Sequence, residues 1–263
     1  MIALPTAPWA HYLGDLCAWV AAAAAALIQH RCWPDQARGL ARTTEPGYFL
    51  MLAVCGLIGA WLAGTLNSMP VSLAPSHSVA GALAGGILGV ELWKLRHGVR
   101  RSTGGAFVLP LCVGIAVGRM GCLFSGLADF TFGTPAHLPW AVDFGDGVGR
   151  HPVQAYEALA MALFAAAYVH GRRVKADWAA EHGFHAFVIY YAAQRFVWEF
   201  IKPYPAVAGP FNLFHLLAVG MIAYGIVWWR RGAGPAAIPG VARAEGGSLC
   251  VPQPDDQPLR DLP

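Results

Sequence analysis

The chain has 263 residues, of which 13% are charged and 56% are apolar, and its mean hydropathy is +0.46. Soluble domains typically have about 25% charged and about 45–50% apolar residues, so this composition excludes an ordinary soluble protein and indicates a membrane protein. The net charge of +3 is spread over the ends of loops and forms no basic stripe, which excludes nucleic acid as a partner.

Seven stretches of the sequence are apolar and long enough to cross a bilayer, which takes roughly 20 helical residues. The third is rich in glycine and carries Glu91, and its small residues suit close packing between helices in lipid. The predicted fold class is all-α, a polytopic membrane protein with about seven transmembrane helices. In chain order the predicted helices are 12–30, 47–66, 76–93, 106–125, 152–170, 184–202 and 211–229.

The basic residues of the loops predict the orientation. They follow the first, third, fifth and seventh predicted helices, while the other connections hold only Arg150. Because lysine and arginine are preferentially retained on the cytoplasmic side, the N-terminus is expected outside and the C-terminus in the cytoplasm. The residues concerned are Arg31, Arg38, Arg42, Lys94, Arg96, Arg100, Arg101, Arg172, Arg173, Lys175, Arg230 and Arg231.

The sequence changes character after the seventh predicted helix. Residues 232–263 are rich in proline and glycine and have little apolar surface to bury, so they are expected to form a disordered cytoplasmic tail. Residues 1–231 are expected to form one membrane domain.

Neither a metal nor an organic cofactor is expected. The six cysteines are not paired at metal-ligand spacing. His182 and His185 form an isolated H-x-x-H pair, for which the sequence offers no obvious third ligand.

Ionisable residues inside predicted helices are costly and indicate function. Arg119 lies late in the fourth helix, and Tyr191, Arg195 and Glu199 form a polar stripe at i, i+4 and i+8 in the sixth. The alternative is structural: Arg119 could extend to the headgroups, and an Arg195–Glu199 ion pair could fix helix packing.

The longest connection, residues 126–151, leads into the fifth predicted helix. His151, Gln154, Tyr156 and Glu157 lie there, near the outer membrane face. An acidic first turn also suits the helix dipole, which gives Glu157 a structural alternative.

Two arginines near the outer face predict an anion site. Phosphate fits best, because guanidinium binds it with two parallel hydrogen bonds and keeps its charge when desolvated. The phosphate available at that depth is a phospholipid headgroup. His77, which precedes the glycine-rich helix, is a candidate base, as are His151 and Tyr191.

Three segments resemble the prolipoprotein diacylglyceryl transferase family: GRMGCLFSG, FGTPAHLPWAVDFGDGVGRHPVQAYEA and YYAAQRFVWEF. They occur in the family's order, and the similarity covers roughly residues 75–203. Arg119 matches the arginine of the family motif G-R-x-G-N-F-x-N-G-E. Tyr191, Arg195 and Glu199 match its Y-x-x-x-R-x-x-x-E helix.

The resemblance implies a bacterial inner-membrane enzyme that takes a diacylglyceryl group from phosphatidylglycerol. The acceptor would be the lipobox cysteine thiol of a secreted precursor, and glycerol phosphate would be released. Arg119, Arg195, Tyr191, Glu199 and His77 would then be catalytic. The residues expected to bind the phospholipid are Arg119, Arg195, His151, Gln154, Tyr156 and Glu157.

The chain also departs from the family pattern. The motif's two asparagines are Cys122 and Ser125, and its glutamate is Leu127, with Asp129 a possible substitute. The family's His-Gly-Gly histidine falls at Ala80, three residues after His77. Two alternatives are therefore a related phospholipid-dependent transferase with another acceptor, and a non-catalytic lipid-binding or transport protein on the same fold.

The alternating basic loops predict the outcome of a topology experiment. A reporter fused after Arg231 should be active only in the cytoplasm, and one inserted near Asp146 only outside. Activity of both reporters on the same side of the membrane would contradict the seven-helix arrangement.

Overall fold

The computed structural model describes residues 1–42, 44–69 and 75–231. The expected tail, 232–263, lies outside the described residues. Within them the chain is mostly helical, as the composition predicted. The helices are α1 (Ala10–Cys32), α2 (Pro34–Ala41), α3 (Pro46–Ser68), α4 (Val79–Arg96), α5 (Val108–Ser125), α6 (Val153–Arg173), α7 (Asp177–Glu181), α8 (Gly183–Glu199) and α9 (Leu213–Arg230), and short 3₁₀ turns, Gly104–Phe107 and Gly126–Asp129, flank α5.

Each of the seven predicted spans overlaps one long helix of the structure. Four are long and apolar enough to cross a membrane: α1, α3, α5 with its flanking turns, and α9. The other three, α4, α6 and α8, are interrupted by charged residues such as Glu91, Glu157 and Arg195. The structure therefore supports a membrane protein, while the number of spans and their orientation stay predictions.

Glycines decide how closely the helices pack. Gly14 of α1 and Gly121 of α5 face each other so closely that a Cβ atom on either would overlap the backbone of the other. Gly59 of α3 has the same relation to Gly81 and Gly85 of α4. The hydrophobic effect does not drive association between helices in lipid, so van der Waals contact between closely packed backbones is a main source of their attraction.

The main apolar core lies among α5, α6, α8 and α9. It includes Val108, Met161, Phe187 and Phe214, all at most 3% exposed. Helices α3 and α4 pack on each other and meet the rest of the described helices mainly through α9. A cavity consequently remains between this pair and helices α1 and α5.

A small sheet, which the all-α prediction missed, joins the N-terminal residues to the connection between α5 and α6. Strands β1 (Ile2–Ala3), β2 (Val142–Asp143) and β3 (Gly149–Arg150) lie in the order β1-β2-β3. Strand β1 is parallel to β2, and β3 is antiparallel to it. These strands are too short to leave a periodic pattern in the sequence, and β1 lies 139 residues from the start of β2.

A tight turn joins β2 to β3. The Asp143 carboxylate accepts hydrogen bonds from the backbone of residues 145–147, and Gly145 and Gly147 adopt the positive φ angles, +103° and +78°, that this turn requires. Arg150 donates to both carboxylate oxygens of Asp146 at 2.7 Å, which lowers the pKa of that carboxyl. The loop is therefore ordered by its own hydrogen bonds.

The α1–α5 contact gives a stability prediction. Gly121→Val should destabilise the protein by about 1–3 kcal/mol, because the added side chain must push α1 away at Gly14. Thermal unfolding in detergent would measure the loss. Gly220→Val is the matched control, because no atom lies within 4 Å of the added Cβ on the exposed face of α9. Equal melting temperatures for the two variants would contradict the close contact.

Candidate active site

Five charged side chains form a buried cluster where α5, α6 and α8 meet. One Glu157 oxygen lies 2.8 Å from Nε of Arg119, and the other lies 2.7 Å from both Nη1 of Arg195 and Nζ of Lys202. Glu199 lies 2.8 Å from Nε of Arg195 and 3.4 Å from Lys202. All five residues are at most 7% exposed. One carboxylate thus links three cations from separate parts of the chain.

The local geometry of α8 and α9 positions Glu199. Its spacing from Arg195 forms the i, i+4 ion pair that the sequence predicted. The second Glu199 oxygen accepts a hydrogen bond of 3.0 Å from Asn212. Asn212 is the N-cap of α9, and its side chain accepts from the backbone N–H of His215. The end of α8 is therefore attached to the start of α9.

The cluster carries an excess of positive charge. Three cations and two carboxylates leave one positive charge uncompensated (three minus two). A buried charge without a partner is costly, so a cluster of this composition favours binding of an anion. Within the described part of the chain, ion pairs engage Nε of Arg119 and Nε and Nη1 of Arg195. Terminal guanidinium nitrogens remain for a ligand.

A cavity of about 740 Å³ opens beside this cluster. Arg119 and Arg195 line it, together with His77, Asp129 and Asn67. The Asn67 side chain is buried, and its amide atoms have no hydrogen-bond partner among the residues described. Much of the remaining wall is apolar, from α1, α3, α4 and α5. Ligand pockets of small molecules typically measure about 300–1,000 Å³, so this cavity is large enough for a phospholipid headgroup with part of its chains.

The predicted catalytic residues differ in their relation to the cavity. Arg119 and Arg195 line it, and so does the exposed His77, which precedes α4 on the opposite wall. Tyr191 and Glu199 lie behind the arginines and are not part of the lining. Tyr191 is 1% exposed, and its hydroxyl has no partner within the described residues. The structure thus brings the two predicted arginines to the wall of one cavity, with Tyr191 and Glu199 behind them.

The residues predicted to bind phospholipid fall into two groups. Glu157 holds Arg119 and Arg195, but His151, Gln154 and Tyr156 do not line the cavity. His151 Nδ1 lies 3.5 Å from the Tyr156 hydroxyl, which accepts a hydrogen bond from the Trp140 indole at 2.8 Å. Gln154 is fully buried, and its amide has no partner in the part of the chain described. These three residues are not brought to the arginines.

Two residues that contact the charged cluster were not among the predicted site residues. The sequence places Lys202 one turn beyond Glu199, on the polar stripe of the sixth predicted helix, but assigned it no role in the site. Asn212 begins the next helix, and no periodicity connects it to Glu199. The cavity also contains His11, which the sequence did not single out.

Comparison with known proteins identifies the family. The sequence model of the prolipoprotein diacylglyceryl transferase family matches residues 11–231. The chain belongs to this family. No solved structure matches it at a significant level.

Several curated relatives are named phosphatidylglycerol–prolipoprotein diacylglyceryl transferase. The protein from Geobacter sulfurreducens is 30% identical over 75% of this chain and 84% of its own length. The one from Idiomarina loihiensis is 30% identical over 68% of this chain and 71% of its own. The one from Nitratidesulfovibrio vulgaris is 35% identical over 58% of this chain and 62% of its own.

The central position of Glu157 gives a second stability prediction. Glu157→Gln should destabilise the protein by about 3–5 kcal/mol, because three buried cations lose the carboxylate that compensates them. Melting temperature and membrane abundance would measure the effect. Asp35→Asn is the control: Asp35 pairs with Arg172 at 3.4 Å but has 64% of its side chain exposed, and exposed pairs contribute about 1 kcal/mol or less. A Glu157 variant as stable as the control would exclude the carboxylate as the link between these helices.

Proposed function

We propose that the protein transfers a diacylglyceryl group from phosphatidylglycerol to the lipobox cysteine thiol of a secreted prolipoprotein, releasing glycerol phosphate. The observation that carries the proposal is the pair Arg119 and Arg195, both lining one large cavity, in a chain of this family. The names of the curated relatives support this donor and acceptor over the alternatives of another acceptor or a non-catalytic lipid-binding protein.

The reaction accounts for the positive cluster. The acceptor sulfur forms a bond to the glyceryl carbon, and the bond from that carbon to the phosphate oxygen breaks. The electron pair of the broken bond leaves with glycerol phosphate, whose phosphate gains negative charge. Arginine donors positioned before the reaction stabilise such charge without reorganisation, which is an efficient form of catalysis. The thiol proton must pass to a base.

Each residue of the site receives a role in this proposal. Arg119 and Arg195 bind the phosphate, and Glu157 and Glu199 hold the two guanidinium groups in place. Tyr191 lies one helical turn before Arg195 and does not line the cavity. His77, on the opposite wall of the cavity, is the proposed base. The roles predicted for His151, Gln154 and Tyr156 reduce to ordering the outer end of α6.

We also propose seven spans, with the N-terminus outside and the C-terminus in the cytoplasm of the bacterial inner membrane. Residues 1–231 would form the membrane domain and residues 232–263 the tail. The support is positional. The late residues of α5 and α8 and the early residues of α6 form one cluster, at the end of these helices that carries the loop with Asp146. The loops of the other end hold most of the arginines and lysines. The donor phosphate and the secreted acceptor would then meet near the outer face.

The arginine pair gives the test of this function. Arg119→Lys and Arg195→Lys should each reduce turnover about 10²–10³-fold while the protein stays inserted and abundant. Lysine keeps the positive charge but loses the planar group that contacts two phosphate oxygens at once. The measurement is glycerol phosphate released from labelled phosphatidylglycerol and a lipobox peptide, per mole of folded protein.

Arg172→Lys is the control for this test. Arg172 is also a buried arginine with a carboxylate partner, but it does not line the cavity. It should keep nearly full turnover per folded molecule. If both cavity variants turn over within about threefold of wild type, a difference below about 1 kcal/mol of barrier, the phosphate role of the arginines is wrong.

A further inference from the structure

Three potential metal ligands, one of them distant in sequence from the other two, meet at one wall of the cavity. They are His11 at the start of α1, Cys122 near the end of α5, and Asp129 in the 3₁₀ turn that follows. A ring nitrogen of His11, the Cys122 sulfur and a carboxylate oxygen of Asp129 all lie within 4.8 Å of one another. All three residues line the cavity that also holds Arg119 and Arg195.

The packing of the helices explains why these residues meet. Gly14 and Gly121 allow the backbones of α1 and α5 to touch. His11 lies one turn before Gly14, and Cys122 directly follows Gly121, so the same contact brings the imidazole to the thiol. The 3₁₀ turn then returns Asp129 toward α1. Its carboxylate lies 2.9 Å from His11 Nδ1.

The donor set is one that zinc prefers. Zn²⁺ binds imidazole nitrogen, thiolate sulfur and carboxylate oxygen at about 2.0–2.3 Å, in tetrahedral geometry. Neighbouring ligand atoms of such a tetrahedron are about 3.3–3.8 Å apart. Three atoms within 4.8 Å of one another therefore need only small movements to enclose the ion. A site with three protein ligands leaves a fourth position, which here would face the cavity.

The surroundings of the three ligands resemble the second shell of a metal site. His11 Nε2 lies 3.4 Å from the Asp15 carboxylate, so one ring nitrogen can face the ion while the other is held by an acid. Metal-binding histidines are commonly oriented in this way. The Thr131 hydroxyl donates to Oδ2 of Asp129, which leaves Oδ1 on the side of His11.

The charges also balance. Nη1 of Arg119 lies 4.0 Å from the Cys122 sulfur, and a cation so close opposes a metal ion. The Asp129 carboxylate and the thiolate that coordination produces supply two negative charges, which equal the charge of Zn²⁺. Arg119 itself pairs with Glu157 at 2.8 Å.

We propose that His11, Cys122 and Asp129 form a binding site for Zn²⁺ whose open position faces the cavity. The role of the ion rests on the function proposed above: the open position binds the acceptor cysteine. A zinc ion there would favour the thiolate form of the acceptor by withdrawing charge from its sulfur. The thiol proton passes to His77, the base proposed above, and the sulfur attacks the glyceryl carbon while the carbon–oxygen bond to phosphate breaks.

Metal binding can be measured without activity. The full-length protein would be purified in detergent, treated with a chelator and titrated with Zn²⁺ by calorimetry and with Co²⁺ by absorption spectroscopy. We expect one ion per chain, with a thiolate-to-cobalt charge-transfer band. Cys122→Asn and Asp129→Asn should abolish this binding. Asp15→Asn should weaken it about 10–100-fold, because Asp15 only orients the histidine.

Cys17→Ser is the matched control, since Cys17 is an exposed cysteine of α1 that does not line the cavity. It should bind Zn²⁺ like wild type. The melting temperature of Cys122→Asn would verify that this variant folds. No stoichiometric binding to wild type, or equal binding to wild type and the folded Cys122→Asn protein, would overturn the proposal.

The transferase assay separates this proposal from the proposed function. Turnover that continues at the full rate in protein shown to be free of metal would exclude a role for zinc and leave the function intact. Stoichiometric, Cys122-dependent binding of Zn²⁺ in a protein without transferase activity would contradict the proposed function and leave the metal site intact.

Discussion

The arrangement of the site depends on one buried carboxylate. Glu157 projects from the start of α6 and contacts Arg119 of α5, Arg195 of α8 and Lys202 beyond α8, each at 2.7–2.8 Å. None of these four residues is more than 7% exposed. In such surroundings the free-energy cost of desolvating each charge is offset only by opposite charges close to it. The C-terminal ends of α5 and α8 and the N-terminal end of α6 are consequently held at fixed positions.

This constraint also prepares the arginines for a ligand. Two carboxylates hold three cations, so the cluster is stable as a unit and still lacks one negative charge. The carboxylates engage Nε of Arg119 and both Nε and Nη1 of Arg195, so each guanidinium keeps a terminal nitrogen without an ion pair among the described residues. A phosphate that binds there meets donors that need no rearrangement, and this is the condition for strong electrostatic catalysis.

The cavity results from the way the helices pair. Close glycine contacts join α1 to α5 and α3 to α4, but the two pairs are not packed tightly against each other. A space of about 740 Å³ remains between them. The same α1–α5 contact brings His11 to Cys122 and Asp129. The close contact between α1 and α5 thus positions His11, Cys122 and Asp129 on the cavity wall opposite the α3–α4 pair.

The sequence by itself determined the class of protein, the location of the long helices and the family. The thickness of the bilayer sets how long an apolar helix must be, so apolar composition and segment length can be recognised in the sequence without knowledge of the tertiary structure. The i, i+4 spacing likewise predicted the ion pair of Arg195 with Glu199, because residues four apart share a helix face. The three-stranded sheet could not be predicted, since its strands have two residues each.

Only the tertiary structure decided which charges meet. Glu157 lies 38 residues from Arg195, and His11 lies far from Asp129 in sequence, yet both pairs are in contact. Helical periodicity states which face a side chain occupies but not which helix lies opposite. For the same reason the sequence grouped Gln154 and Tyr156 with Glu157, although only Glu157 reaches the arginines. Which residues of α6 reach the arginines depends on the angles and distances at which α5, α6 and α8 pack. Contacts between the backbones and side chains of these helices determine those angles and distances.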